Sequence, residues 1–169
     1  MSNNIFYDEH HKYRLDCSKA DWATDEIHSI YHSENILLLS DVDFAFSKGD
    51  TLYLVEYKNA CVNEHARKSG FNPSTEKMVR KIAYKYYDSY FYLLCIGKAT
   101  GLHIKYVYIV EYPNSDSASR KALRNKITES LPFRLQKKLA GSELISDFDV
   151  VSVDEWNKRY PQYPFTPCK

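Results

Sequence analysis

The amino-acid sequence predicts an α/β fold in which one mixed β-sheet carries helices on its faces. The chain has 169 residues, which is about the length of one domain, so residues 1–169 are treated as a single domain. Its 44% apolar and 27% charged residues are typical of a globular protein. Runs rich in β-forming residues alternate with runs of helical periodicity in the order α-β-β-α-β-α-β. No run of about 18 apolar residues occurs, so we expect no membrane span.

The first part of the chain is predicted to contain one helix. Residues 1–16 are polar and aromatic, and we expect them to lie over the surface. Ser18 is a suitable N-cap for a helix that continues to about His32. The side chains expected to be buried on this helix are Trp22, Ile27, Ile30 and Tyr31.

A β-hairpin is predicted next. Residues 36–46 and 51–60 are rich in β-forming side chains, and residues 48–50 (Lys-Gly-Asp) favour a turn between them. With a four-residue loop over residues 48–51, Asp43 lies opposite Glu56. Side chains alternate along a strand, so these two carboxylates share one face, with Cβ atoms roughly 5 Å apart. The same register pairs Ser47 with Leu52, Ala45 with Leu54 and Asp41 with Lys58.

The rest of the chain is predicted to alternate between helices and strands. A helix from Thr75 to about Ile96 is indicated by Met78, Ile82 and Tyr86, which recur every four residues. The other expected elements are a loop over 61–74, a strand over 103–112, a basic and mostly helical stretch over 117–141 that breaks near Pro132, a strand or strand-to-helix corner over 148–156, and an extended tail over 160–167.

Charge is unevenly distributed, although the formal net charge is only +1. Residues 1–60 hold 5 Lys and Arg against 11 Asp and Glu, a net charge of −6. Residues 61–140 have a net charge of +9, and residues 141–169 have −2. An acidic first third followed by a basic middle suits a site that attracts cations beside a surface that attracts anions.

Several classes of protein are excluded by missing motifs. The sequence has no glycine-rich phosphate loop and no Gly-x-Ser-x-Gly elbow, which argues against a P-loop ATPase and an α/β-hydrolase. Its four cysteines form no CxxC pair, and its first twenty residues lack an apolar signal core. We therefore expect a reduced, cytoplasmic protein.

Asp43 and Glu56 are unusual residues for such apolar strands. Like charges placed directly opposite each other destabilise a sheet, so these carboxylates need a compensating cation. Lys58, two residues beyond Glu56 on the same face, would supply one positive charge. A divalent cation would supply the rest, because Mg²⁺ binds one or two carboxylates and keeps several waters.

This pattern resembles the PD-(D/E)xK nuclease superfamily, which includes restriction endonucleases and archaeal Holliday junction resolvases. The match runs from Ser40 to Lys58 (SDVDFAFSKGDTLYLVEYK), with Asp43, twelve residues, and then Glu-x-Lys. The proline that often precedes the family's aspartate is replaced here by Val42. The resemblance implies a restriction-endonuclease-like core over about 17–112 and a C-terminal helical and strand elaboration over about 113–169.

The resemblance also implies the catalytic residues and the cofactor. Asp43 and Glu56, together with the main-chain carbonyl of Tyr57, would hold Mg²⁺ or Mn²⁺ for phosphodiester hydrolysis. Lys58 would orient the attacking water or neutralise developing charge, and Glu26 on the first helix would join the site. Asp25 and Glu34 are the other candidates for this last position.

Nucleic acid is the implied substrate, with DNA expected first, and the basic middle of the chain is the expected binding track. Small resolvase-like nucleases act as dimers, so a homodimer is also expected. The residues predicted to contact nucleic acid are Lys77, Lys81, Lys85, Arg67 and Lys68. A second basic stretch contains Arg120, Lys121, Arg124, Lys126, Arg134, Lys137 and Lys138.

Two other interpretations remain open. The first is a non-catalytic module on the same fold, which would bind nucleic acid or protein through its basic surface and its 15 tyrosines. The second is an ordinary α/β protein in which the cluster around Glu56 is a structural ion pair. A divalent-metal site at Asp43 and Glu56 would distinguish the nuclease from the binding module, whereas a structural ion pair predicts that Glu56→Ala unfolds the protein.

Overall fold

A computed structural model describes residues 4–61, 70–139, 141 and 143–168 of the chain. Eight strands and five helices lie within these residues. In chain order they are β1 (Ile5–Tyr7), β2 (Tyr13–Asp16), β3 (Trp22–Thr24), α1 (Ile27–Ser33), β4 (Phe44–Lys48), β5 (Thr51–Asn59), α2 (Glu76–Cys95), β6 (His103–Glu111), α3 (Ser117–Thr128), α4 (Phe133–Gln136), β7 (Asp147–Val151), α5 (Val153–Arg159) and β8 (Phe165–Pro167).

The strands form two sheets, and the larger one confirms the predicted α/β class with a mixed sheet. Its order is β3-β4-β5-β6-β7, with antiparallel pairing among the first three strands and parallel pairing among the last three. The smaller antiparallel sheet has the order β1-β2-β8. In the described part of the chain, no helix is long and apolar enough to cross a membrane.

The hairpin of β4 and β5 has the predicted register. Ala45 lies opposite Leu54, and Phe44 lies opposite Val55, so the next pair along is Asp43 with Glu56. The turn is tighter than the four-residue loop expected, because Lys48 pairs with Thr51. That leaves only Gly49 and Asp50 in the turn, and Gly49 adopts a positive φ of 58°, which such two-residue turns require.

The large sheet separates two apolar clusters. On one face α2 and α3 pack over Leu52 and Leu54 of β5, and on the other face the small sheet and α5 pack over Val55 and Tyr57. Since side chains alternate along β5, Glu56 points toward the face that α2 covers. The fold therefore places a carboxylate in the interface between the sheet and its longest helix.

Three sequence-based expectations about the first part of the chain are wrong. Residues 22–24, predicted as helix, form β3, because they pair with the edge of β4; the helix begins only at Ile27. Residues 36–43, predicted as strand, lie outside the sheet, and Leu38 in this segment is 96% exposed. Within the segment 1–16, expected only on the surface, Ile5–Tyr7 and Tyr13–Asp16 form β1 and β2, and β2 buries Leu15.

The later elements are close to those predicted. The helix after Thr75 runs over α2, and the Thr75 hydroxyl caps it by accepting a hydrogen bond from Met78 N–H. The strand predicted over 103–112 is β6, and the helical stretch breaks at Pro132 as expected. The strand-to-helix corner is β7 followed by α5, and the tail ends in β8. In the loop expected over 61–74, residues 62–69 lie outside the described part of the chain.

Candidate active site

The candidate site centres on Asp43 and Glu56, at the point where the pairing of β4 with β5 ends. Glu56 lies inside β5, and Asp43 directly precedes β4. The Asp43 Oδ2 atom accepts a hydrogen bond of 2.7 Å from Tyr57 N–H. This bond fixes the Asp43 carboxylate against the strand that carries Glu56, so the two carboxylates meet as the hairpin register predicted.

Lys85 of α2 is the cation that contacts both carboxylates. Its Nζ atom lies 2.7 Å from Glu56 Oε2 and 3.8 Å from Asp43 Oδ1. The Glu56 and Lys85 side chains are largely buried, whereas 36% of the Asp43 side chain is exposed. Sequence reasoning placed Lys85 in the nucleic-acid track and assigned the compensating charge to Lys58. The structure gives that compensating contact to Lys85.

One ammonium group faces two carboxylates here, and the imbalance affects all three pKa values. Burial, together with the neighbouring Asp43, raises the pKa of Glu56 to about 8. Burial also raises the pKa of Asp43, although Lys85 and the Tyr57 N–H favour its charged form. Burial acts to lower the pKa of Lys85, but Glu56 and Asp43 outweigh it, so this pKa is raised. The fully ionised site would carry one net negative charge, so the folded protein favours keeping a proton on Glu56.

The backbone leaves the sheet just before Asp43, where side chains replace the backbone hydrogen bonds of the ladder. In a continuing ladder, Val42 would exchange both backbone hydrogen bonds with Tyr57. Instead, Val42 N–H donates to the Ser89 hydroxyl at 2.9 Å, and Tyr57 N–H donates to Asp43. The Tyr57 carbonyl points to the same side as its N–H and is released from the ladder next to the Asp43 carboxylate. The Tyr57 carbonyl and the Asp43 carboxylate therefore lie on the same side of β5.

Helix α2 holds this departing segment in place. Besides the Ser89 bond to Val42, the Asp88 Oδ2 atom accepts a hydrogen bond of 2.8 Å from Ser40 N–H. The Tyr31 hydroxyl donates to the Asp88 carbonyl at 2.7 Å, which ties α1 to the same turn of α2. Ser40 and Val42, which precede Asp43, and the lysine that faces it are therefore positioned by one helix.

A cleft of about 470 Å³ opens in front of Asp43. Five carboxylates contribute to its walls, against Lys81, Lys85 and His28. Such a wall attracts cations, and an anionic substrate would need a cation to approach it closely. The residues that line this acidic cleft are Tyr7, Asp8, Glu9, Asp25, His28, Leu39, Ser40, Asp41, Asp43, Lys81 and Lys85.

The acids predicted on the first helix lie at different distances from the cleft. Glu26 is exposed at the N-cap of α1, outside the cleft lining, while its neighbour Asp25 lines the cleft. Burial raises the pKa of Asp25. Glu34 is exposed at the C-terminal end of α1. Asp25 is therefore the acid of this region that the fold brings to the cleft.

Lys58 and Asp41 do not form the pair that the register suggested. Asp41 lies within 3.0 Å of the Nδ1 atom of His28, a residue that sequence reasoning did not select. Within the described residues Lys58 forms no ion pair, and it lines a small pocket with Asp43 and Tyr57. No local pattern predicts this contact, because Asp41 was expected in a strand, whereas residues 36–43 lie outside the sheet.

The predicted nucleic-acid contacts divide into three groups. Lys81 lines the acidic cleft, and Lys77 lies with it along a neighbouring groove of α2. Lys85 is engaged by the carboxylates. Arg67 and Lys68 lie outside the described residues.

Part of the second basic stretch has structural contacts. Arg120 is buried, and its guanidinium donates to both carboxylate oxygens of Glu155 at 2.9 and 2.8 Å. Arg124 Nε donates to the Phe148 carbonyl at 2.6 Å, and Lys126 donates to the Ser74 carbonyl. These residues fasten α3 to neighbouring parts of the fold.

The oxygen atoms at this site match the donors that Mg²⁺ and Mn²⁺ prefer. Asp43, Glu56 and the Tyr57 carbonyl offer hard oxygen donors, and when both carboxylates are ionised their excess of negative charge favours a cation. Across the described residues, no three His, Cys, Asp or Glu side chains are grouped as a metal site. A two-carboxylate arrangement completed by water is nevertheless common for Mg²⁺.

Comparison with protein-family models, with curated proteins and with solved structures finds no match to this chain. The function must therefore be argued from the site itself.

Proposed function

We propose that this protein is a Mg²⁺- or Mn²⁺-dependent nuclease that hydrolyses phosphodiester bonds, with DNA as the first substrate to test. One observation carries the proposal. Asp43, just before β4, and the buried Glu56 of β5 both contact the largely buried Lys85, and Asp43 and Lys85 line an acidic cleft. The resemblance of residues 40–58 to the PD-(D/E)xK pattern supports the same chemistry.

The metal would be held by Asp43, Glu56 and the Tyr57 carbonyl. When bound, it would lower the pKa of a water molecule and stabilise charge on the phosphate oxygens. The hydrogen bond from Tyr57 N–H keeps Asp43 oriented for this role before any ligand arrives. Preorganised carboxylates need little rearrangement on binding, which favours affinity for the cation.

The two lysines near the carboxylates would have different roles. Lys85 is tied to Glu56, so it limits the charge repulsion between the carboxylates and keeps Glu56 aimed at the site. Lys58 follows Glu56 on the same side of β5 and lines a pocket with Asp43, so its ammonium is available for the water or the phosphate. Lys58 remains the proposed catalytic lysine, and Lys85 is a positioning residue.

The deciding experiment is cleavage of a substrate panel by the purified protein. Single-stranded, duplex, forked and four-way DNA, plus RNA, are each incubated with Mg²⁺, Mn²⁺ or EDTA. Asp43→Asn, Glu56→Gln and Lys58→Ala are compared with Asp50→Asn, which changes an exposed acid in the β4–β5 turn. Circular dichroism and thermal melting establish that each variant is folded.

Metal-dependent cleavage that is lost in Asp43→Asn and Glu56→Gln, and kept in Asp50→Asn, is the expected result. The absence of cleavage, together with the absence of Mn²⁺ binding by calorimetry, would refute the nuclease. It would leave the non-catalytic binding module as the better account. A Glu56→Gln variant that fails to fold would instead favour a structural ion pair.

A further inference from the structure

A groove of about 550 Å³ runs along the first half of α2, next to the acidic cleft. Ser40 and Lys81 line both the groove and the cleft, so the two are continuous. A chain lying in the groove is thereby led toward Asp43. The groove is lined by Ser40, Glu76, Lys77, Arg80, Lys81 and Tyr84.

The groove is cationic, in contrast to the acidic cleft. Within the described residues, neither Lys77 nor Lys81 forms an ion pair. Arg80 pairs with Glu76 at 2.6 Å, but both side chains are exposed, and such pairs exchange readily for another anion. Three cations against one carboxylate favour a polyanion in this groove.

Tyr84 gives the groove an aromatic surface. Tyr84 is 58% exposed, whereas Tyr86, two residues later, is fully buried in the core. No hydrogen bond holds the Tyr84 hydroxyl within the described part of the chain. The seven residue steps from Lys77 to Tyr84 advance about 10 Å along the helix axis, so cations and ring lie along one short track.

We infer that this groove binds an unpaired nucleic-acid strand, with phosphates on Lys77, Arg80 and Lys81 and a base stacked on Tyr84. Charged grooves with exposed aromatic rings bind single strands, because every base offers a face for stacking. A base inside a duplex is already stacked and paired, so it cannot use Tyr84 without being extruded. The inference rests on the proposed function and names its substrate class, which is single-stranded nucleic acid or a single-stranded segment of a branched one.

The test measures binding without cleavage. A fluorescently labelled single strand of about 12 nucleotides, within the range that one binding surface covers, and the matching duplex are titrated with protein in EDTA. We expect the wild type to prefer the single strand, and Tyr84→Ala to weaken single-strand binding by about 5- to 150-fold while changing duplex binding little. Phe91→Ala is the matched control, because Phe91 is 60% exposed on the same helix and lies outside the groove lining.

The contribution of the cationic side chains is tested separately, by the salt dependence of binding. Lys77→Ala and Lys81→Ala should each weaken binding and reduce the slope of log affinity against log salt by about 0.7, the value for one phosphate contact on a single strand. A Tyr84→Phe variant should bind like the wild type, since stacking uses the ring and not the hydroxyl. Equal affinity for single strand and duplex, or equal losses in Tyr84→Ala and Phe91→Ala, would overturn the inference.

Failure of this inference is distinguishable from failure of the proposed function. If the protein binds single strands through Tyr84 but cleaves nothing with any metal, the groove inference is supported and the proposed nuclease activity is refuted. If the protein cleaves duplex DNA and Tyr84→Ala has no effect on binding or cleavage, the nuclease activity is supported and the groove inference is refuted. A wild-type protein that binds neither the single strand nor the duplex in EDTA would also overturn the groove inference.

Discussion

Replacing Glu56 with glutamine tests the central electrostatic feature of the site. In the wild type, burial and Asp43 raise the pKa of Glu56 from 4.5 to about 8. Below pH 4.5 this carboxyl is protonated in both the folded and the unfolded chain. As the pH rises toward 8, the unfolded chain releases the proton while the folded chain retains it, so the free energy of unfolding falls.

The size of this effect follows from the pKa difference. Each pH unit between the two pKa values corresponds to roughly 1.4 kcal/mol, so the complete loss is on the order of 5 kcal/mol. Glutamine keeps the shape of the side chain and does not titrate. We therefore expect Glu56→Gln to gain stability relative to the wild type as the pH rises through this window, by a few kcal/mol in total.

The assay is urea denaturation, followed by circular dichroism, at a series of pH values from about 5 to 9 in EDTA. Glu34→Gln is the matched control, because Glu34 is exposed and lies outside the lining of the acidic cleft. Parallel stability curves for the wild type and Glu56→Gln would refute the reasoning. They would mean that Lys85 alone compensates Glu56 fully, and that the site has no excess of negative charge for a metal.

Three further predictions concern the contacts around the site. Lys85→Met leaves two carboxylates without their buried cation, so it should lower the free energy of unfolding by about 3 kcal/mol or more in urea denaturation. A loss no larger than that caused by Lys81→Met, at an exposed position, would contradict this prediction. Ser89→Ala removes the acceptor of Val42 N–H and should cost about 1–3 kcal/mol by the same assay, so an unchanged denaturation midpoint would count against the anchoring role. Arg120→Met should destabilise the fold because Glu155 loses its partner, yet leave single-strand affinity unchanged by fluorescence anisotropy; a selective loss of affinity would show that Arg120 contacts nucleic acid after all.

The hairpin could be predicted from the sequence because its register depends only on residues in the hairpin itself. A turn fixes which residues lie opposite each other, and the two-residue period of strands then fixes which side chains share a face. The placement of Asp43 against Glu56 needs no information from elsewhere in the chain. The tighter turn left this register unchanged, because it removed one residue from each side of the expected loop.

The rest of the site depends on contacts between distant segments. Lys85 lies 29 residues after Glu56, and only the packing of α2 over β5 brings its ammonium to the carboxylate. The apolar run at residues 36–39 resembled a strand, but Asp88 and Ser89 draw residues 40–42 away from the sheet. The basic residues of α3 resembled a binding surface, and several of them hold the fold together instead. In each case the sequence shows the type of residue but not its partner.

Helix α2 carries both the proposed binding groove and the lysine of the candidate site. Its first half carries the groove, and its middle carries Lys85 and the two residues that anchor the segment before Asp43. A straight helix advances 1.5 Å and turns about 100° per residue, so the offset between groove and carboxylates is set by residue count alone. One residue inserted between Tyr84 and Lys85 would swing the groove a quarter-turn away from the cleft. If the groove binds a nucleic-acid strand, the spacing along this helix determines the distance between the base stacked on Tyr84 and the phosphodiester bond that reaches the carboxylates.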